Sequence, residues 1–167
     1  MSLTRGLPLE SPLVVVMVGL PARGKTYTAH KLARYLSWIG YSTRVFNVGN
    51  YRRERVGAQV AHGFFSPDNE QGLEARRAAA LAALADLVSW MSRKGQIAIY
   101  DATNSTRDRR AMVRDKLLAN GFQVLFIESV CDDSTVIESN IRETKLSNPD
   151  YIGMEPADVV TDFRKRI

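Results

Sequence analysis

The sequence predicts a three-layer α/β domain with a mostly parallel sheet. Three observations carry that reading. Leu13 to Val18 (LVVVMV) is a short, wholly apolar, β-branched run, the signature of a strand covered on both faces. Apolar runs of this kind then alternate with segments of helical period. The chain has 167 residues, with 45% hydrophobic and 25% charged, which suits one globular core and excludes disordered, collagen-like and coiled-coil classes. Residues 1–10 read as a tail and residues 11–167 as one domain.

After the first strand, Thr26 to Ile39 carries Ala29, Leu32, Ala33, Leu36 and Ile39 at helical spacing, and Gly40 supplies a stop. Thr43 to Val48 reads as a second strand. Tyr51 to Asp68 shows no period and reads as a long loop holding Arg52, Arg53, Arg55, Gly57, Gly63 and Pro67. Asn69 to Arg93 is a long helix with Leu73, Ala80, Leu84, Leu87, Val88 and Met91 near one face. Gln96 to Tyr100 is a third strand. Thr106 to Ala119 is a helix closed by Asn120 and Gly121. Gln123 to Glu128 is a fourth strand. Ser134 to Leu146 is a helix with Ser134 as N-cap. Pro156 to Arg166 is a last helix, with Pro156 in its first turn.

Composition bounds the setting. A single cysteine excludes an internal disulfide and favours a reducing compartment. The longest apolar run, Leu13 to Leu20, falls far short of the roughly 20 residues of a membrane span. Met1 to Ser11 lacks the features of a signal peptide. A cytoplasmic protein with no membrane partner is the expectation. The net charge of +5 fits either a solvated basic surface or an anionic ligand.

Gly19-Leu20-Pro21-Ala22-Arg23-Gly24-Lys25-Thr26 matches G-x-x-x-x-G-K-[ST] in full. Glycines at this spacing let backbone N–H groups turn inward around a β-phosphate, and the following helix adds the positive end of its dipole. Lys25 is placed for the β and γ oxygens and the Thr26 hydroxyl for Mg²⁺. The context, a buried strand before and an amphipathic helix after, is that of a P-loop NTPase. Asp101 ends the third strand beside this loop. It suits a Mg²⁺ partner, direct or through water, or a base toward a substrate hydroxyl, and spacing does not separate these roles. Arg52 and Arg53, and Arg107, Arg109 and Arg110, follow the carboxyl ends of strands, where open α/β sheets bind ligands. Arg76 and Arg77 lie early in the long helix and Arg164 and Arg166 near the end. Cys131, just after an apolar strand, reads from its own context as a small buried hydrophobe. His30 and His62 lie outside every motif.

Five blocks in order, GLPARGKTY (19–27), FNVGNYRRE (46–54), FFSPDNE (64–70), DATNSTRDRR (101–110) and FIESVCDDSTVIESNI (126–141), resemble the kinase domain of the bifunctional 6-phosphofructo-2-kinase/fructose-2,6-bisphosphatase family. The resemblance runs from about Leu13 to Ile167. It implies MgATP-dependent phosphorylation of fructose 6-phosphate at its 2-hydroxyl, giving fructose 2,6-bisphosphate and ADP. It implies that Gly19, Leu20, Pro21, Ala22, Arg23, Gly24, Lys25, Thr26 and Tyr27 hold ATP, with Asn140, Glu143 and Lys145 against the nucleotide. Arg52, Arg76, Thr103, Arg109, Lys145 and Arg166 would contact the sugar phosphate. Lys25, Asp101, Lys145 and Cys131 would be the catalytic positions, and Thr26 and Asp101 the metal positions. The nucleotide-kinase-like strand order 2-3-1-4 follows.

Family chains continue past KRI through a helix, a further strand and a phosphatase domain, none of which is present in this sequence. The resemblance therefore implies a truncated kinase domain lacking its last strand. Such a chain is expected to bind MgATP, to bind fructose 6-phosphate weakly and to self-associate through the Gln123–Glu128 edge, while family members pair as homodimers. Two other readings stay open: another P-loop kinase acting on a polynucleotide, nucleoside or small metabolite, and a non-enzymatic nucleotide-binding module. The YRRE and DATN blocks together weigh against the first. No aromatic–basic interleaving marks a nucleic-acid partner, which weighs against a module of that kind.

Overall fold

The computed structural model describes residues 11–58, 62–66, 68–145, 150 and 161. The chain order is β1 (Leu13–Val18), α1 (Lys25–Trp38), β2 (Thr43–Asn47), α2 (Val48–Val56), a 3-10 turn (His62–Phe65), α3 (Glu70–Arg93), β3 (Ile97–Asp101), α4 (Arg107–Leu118), β4 (Gln123–Glu128) and α5 (Ser134–Lys145). The expected tail 1–10 and, apart from Thr161, the expected helix 156–166 lie outside the described residues. None of the described helices is long and apolar enough to cross a membrane.

All strand pairs are parallel and the order is β2-β3-β1-β4, as expected. Val14 of β1 stands opposite Ala98 of β3 and Val124 of β4, so β1 and β3 are the inner strands, and all their residues but Leu13 are buried. Alternate residues feed two cores, because successive side chains leave a strand on opposite faces. Val14, Val16, Ala98 and Tyr100 meet Ala83, Leu84 and Leu87 of α3 and Val113 and Leu117 of α4. Val15, Met17, Ile97 and Ile99 meet Ala29 of α1, with Leu32, Ala33 and Leu36 packed around them. Each such aliphatic burial stabilises by about 1.5–3 kcal/mol. The Tyr100 hydroxyl, wholly buried, donates to the Ala80 carbonyl at 3.1 Å. Burial holds its phenol well above the ordinary range.

Two expectations are corrected. The segment from Tyr51 is not loop throughout: α2 occupies Val48–Val56 and the 3-10 turn follows. The Asn47 side chain caps α2 by accepting from the Asn50 N–H at 3.2 Å, and Gly57, with φ of 81°, ends it. Leu73 faces solvent rather than the core, at 51% exposure. Its neighbour Gly72 takes the inward position, where a Cβ would collide with the Phe64 carbonyl. That close approach presses the first turn of α3 onto the 3-10 turn and leaves Leu73 outside.

Candidate active site

The candidate site lies beyond the carboxyl ends of β1, β3 and β4. Immediately after β1 the chain turns through Gly19 (φ 131°), Ala22 (φ 58°) and Gly24 (φ 79°) before α1 begins. Gly19 is required on two counts: its φ disfavours any side chain, and a Cβ there would overlap the Ser129 carbonyl. A Cβ on Gly24 would meet nothing within 4 Å, so the hollow of the loop is open on that side. Helices α2, α3 and α4 are each capped by a side chain, from Asn47, Asn69 and Thr106. Helix α1 has no side-chain cap. An uncapped N-terminus facing an open backbone hollow suits an anion with several oxygens, so the residues fit a nucleotide's phosphates.

The loop is tied down from both sides. On the β4 side, the Ser129 hydroxyl donates to the Arg23 carbonyl and Asn140 Nδ2 donates to the Ala22 carbonyl at 3.0 Å. Arg23 spends its guanidinium on the loop itself, donating to Pro21 O at 3.0 Å and to Cys131 O at 3.1 Å. On the β3 side, the Gly19 N–H donates to Thr103 O at 2.9 Å. Lys25 is buried, and its ammonium donates to the Leu20 carbonyl, within the loop. Thr26 and Tyr27 are exposed on the first turn of α1, with Lys31 Nζ 5.3 Å from the Tyr27 ring centre. Leu20 is exposed above the loop.

Asp101 is 2% exposed at the end of β3. The parallel register sets Asn47 of β2 opposite it, and Asn47 Nδ2 donates to Asp101 Oδ2 at 2.6 Å. Asn47 thus caps α2 with one side-chain atom and orients the carboxylate with the other. Among the described residues no three His, Cys, Asp or Glu side chains gather to hold a metal by protein groups alone.

The arginines divide into two kinds. Arg52 is buried: it pairs with Asp150, donates to Gly57 O at 3.4 Å and lies 5.5 Å from the Phe65 ring centre. Arg53 stands 3.5 Å from the same carboxylate. Arg52 therefore holds the chain around α2 together. Arg76 donates to the carbonyls of Gly72, Phe65 and Ser66 at 3.0–3.3 Å. Burial, and next the neighbouring Arg109 charge, push its guanidinium below the ordinary arginine range. Arg109 has a buried Nη1 with no hydrogen-bond partner. Two guanidiniums near each other, one with an unsatisfied buried nitrogen, form a place for an anion.

The sequence matches the 6-phosphofructo-2-kinase family over residues 5–167. The chain belongs to the 6-phosphofructo-2-kinase family. It is 56% identical over 159 residues to human 6-phosphofructo-2-kinase/fructose-2,6-bisphosphatase 3, covering 95% of this chain and 31% of that protein. It is 52% identical over 157 residues to the Gallus gallus 6-phosphofructo-2-kinase/fructose-2,6-bisphosphatase, covering 93% and 33%. The chain thus spans about a third of the length of these curated relatives. Among solved structures, the Mycobacterium tuberculosis APS kinase CysC in complex with AMPPNP and APS shares the fold, with a TM-score of 0.61 at 17% identity over 81% of this chain and 71% of that one.

In this member of the 6-phosphofructo-2-kinase family, other expected site residues are placed as follows. Thr103 is exposed, and its carbonyl anchors the phosphate loop. Glu143 is exposed on α5 and accepts from Ser139 Oγ at 3.1 Å. Cys131 is half-exposed rather than buried, and its carbonyl, not its thiol, engages Arg23. The fourth strand ends at Glu128 as expected, and Cys131, three residues beyond it in the connection to α5, is therefore outside the covered sheet. Lys145 is the last residue of α5. Arg166 lies outside the described residues. Four contributors escaped the sequence reading: Asn47, Asn104, Ser129 and Asp150. An Asn at the end of a strand, before an arginine-rich run, was the available signal for Asn47.

Proposed function

We propose that this chain carries the kinase activity of its family: transfer of the γ-phosphoryl group of MgATP to the 2-hydroxyl of fructose 6-phosphate, giving fructose 2,6-bisphosphate and ADP. One observation supports it above the rest. A buried carboxylate, Asp101, ends β3, the neighbour of the strand that runs into the open phosphate loop, and Arg109 on the helix that follows carries a buried nitrogen with no hydrogen-bond partner. Phosphoryl transfer needs positioning and charge neutralisation more than covalent chemistry, and each part has a place here.

Gly19 to Tyr27 hold the ATP phosphates, with the uncapped start of α1 directed at them. Lys25 swings from the Leu20 carbonyl to the β and γ oxygens. Thr26 and Asp101 would hold Mg²⁺, which would supply charge neutralisation of the phosphate oxygens. Asp101, steadied by Asn47, is also placed to accept the proton of the attacking hydroxyl. Arg76, Arg109 and Thr103 hold the sugar phosphate. Arg52 contributes through the shape of this wall, by its pairing with Asp150. Asn140, Glu143, Lys145 and Cys131 line the nucleotide side, and Arg166 binds the 6-phosphate. The protein works in the cytoplasm, as a homodimer, with a fructose-2,6-bisphosphatase domain in its longer form.

The test is ADP release in the presence of fructose 6-phosphate, fructose 1-phosphate, glucose 6-phosphate and adenylyl sulfate, with the product located by phosphorus NMR. Turnover confined to fructose 6-phosphate, with the new phosphate on C2, is expected. Preference for another acceptor overturns the proposal.

A further inference from the structure

We propose that Asn104 is a positioning residue that fastens the sugar side of the site to the phosphate loop; this rests on the fructose 6-phosphate reading above. Asn104 is 4% exposed and has φ of 48°. A buried non-glycine residue in the left-handed region persists only where its surroundings impose it, and Asn tolerates that region best among residues with a side chain. The imposing contact is a hydrogen bond from Asn104 Nδ2 to the Met17 carbonyl at 2.8 Å. The β1–β3 register ends at the Val16–Tyr100 pair. The Asn104 amide therefore continues the ladder by one rung after β3 has left the sheet. The next rung is the bond from the Gly19 N–H to Thr103 O at 2.9 Å.

Asn104 also receives a tie from the other direction. Arg110 of α4 donates to the carbonyls of Asn104 and Ser105 at 3.0 and 2.7 Å. One side chain and one carbonyl thus join three parts: the end of β1, the turn bearing Thr103, and the start of α4 bearing Arg109. The phosphate loop has separate fastenings on its far side, from Ser129, Asn140 and Arg23. Loss of the Asn104 amide should free the sugar side and leave the nucleotide side in place.

Two variants separate the amide from the backbone geometry. Asn104→Gly keeps access to positive φ and deletes the amide. Asn104→Asp keeps size and shape but sets a carboxylate against the Met17 carbonyl. Amide hydrogen exchange at Gly19 is measured by NMR, alongside ATP affinity by calorimetry and steady-state kinetics normalised to the folded fraction. In both variants, Gly19 protection should fall about tenfold or more, since its exchange then follows local opening. ATP affinity should stay within about twofold. The kcat/KM for fructose 6-phosphate should fall about 100-fold, the scale of an ångström of misplacement. Unchanged Gly19 protection, an Asn104→Asp variant that behaves as wild type, or equal losses for ATP and sugar would each overturn the inference. If the wild-type chain does not act on fructose 6-phosphate, the functional reading falls, and the exchange measurement still decides whether Asn104 fastens the loop.

Discussion

Replacing Arg109 by Met should move stability and function in opposite directions. In the free protein, Arg109 buries a charged nitrogen with no partner and stands near the like charge of Arg76. A buried unsatisfied donor costs about 1–3 kcal/mol, and the partly exposed setting of this side chain favours the low end. Methionine keeps the length of the apolar stem while removing the charge. The expected gain is about 1 kcal/mol, which for a chain of this size is roughly 2–4 °C in Tm. The same change deletes a charge-assisted contact of about 1.5–3 kcal/mol to a sugar phosphate, so the KM for fructose 6-phosphate should rise about 10- to 150-fold. Differential scanning fluorimetry without ligand reads the first quantity and coupled kinetics the second. ATP affinity should stay constant, because the phosphate loop has its own anchors. A lower Tm would mean that Arg109 has a structural partner after all. An unchanged KM would remove it from the sugar site.

Arg52→Ala should behave in the contrary manner. Removing one member of its buried pair with Asp150 should cost about 3 kcal/mol by thermal denaturation, near the low end for such pairs because Arg53 stands beside the same carboxylate; a silent substitution would refute that role. Lys25→Met should leave the fold intact and lower transfer by orders of magnitude with a smaller effect on nucleotide binding, since the charge matters most in the transition state. Near-normal turnover would displace the phosphate site. Alkaline stability provides a fourth check. Burial, and next its hydrogen bond to Asp86 at 3.0 Å, push the Tyr51 phenol up to about 12 from an ordinary 10. The unfolded chain ionises first as pH rises, so stability present below pH 10 should drain away between pH 10 and 12. Tyr51→Phe should flatten that decline, and an unaltered slope would show that this phenol is not responsible.

The sheet was legible because its code is simple. Runs such as LVVVMV suit strands covered on both faces, as in a parallel sheet between two helix layers, and the strand order followed from the family resemblance of the motif blocks. Helix α2 was hidden for a physical reason. Of its residues only Arg52 is buried, so no apolar stripe exists to be read. Its boundaries, an Asn cap and a glycine stop, carried the information that periodicity lacked. The site was half legible. Motif spacing marks where phosphates and metal belong, because those contacts come from local backbone. The contacts that fix the walls join residues far apart in sequence, Arg52 with Asp150 and Asn104 with Met17, and nothing in one position announces the other. Arg52 illustrates the cost: a strand-end arginine invites a ligand, yet an acid 98 residues later takes it.

The missing cap on α1 has a thermodynamic meaning. Helices α2, α3, α4 and α5 complete their first turns with the side chains of Asn47, Asn69, Thr106 and Asp133, and among the described helices α1 leaves that place to whatever anion arrives. An anion bound there is part of the fold as much as a ligand, and its binding free energy becomes stability of the central strand–helix unit. Linkage sets the size: at 100 times its dissociation constant, such a ligand adds about 2.7 kcal/mol. The first turn of α1 should then breathe in the free protein and become quiet when filled. The concentration of phosphate donor around the chain would set how much of this helix exists at any moment.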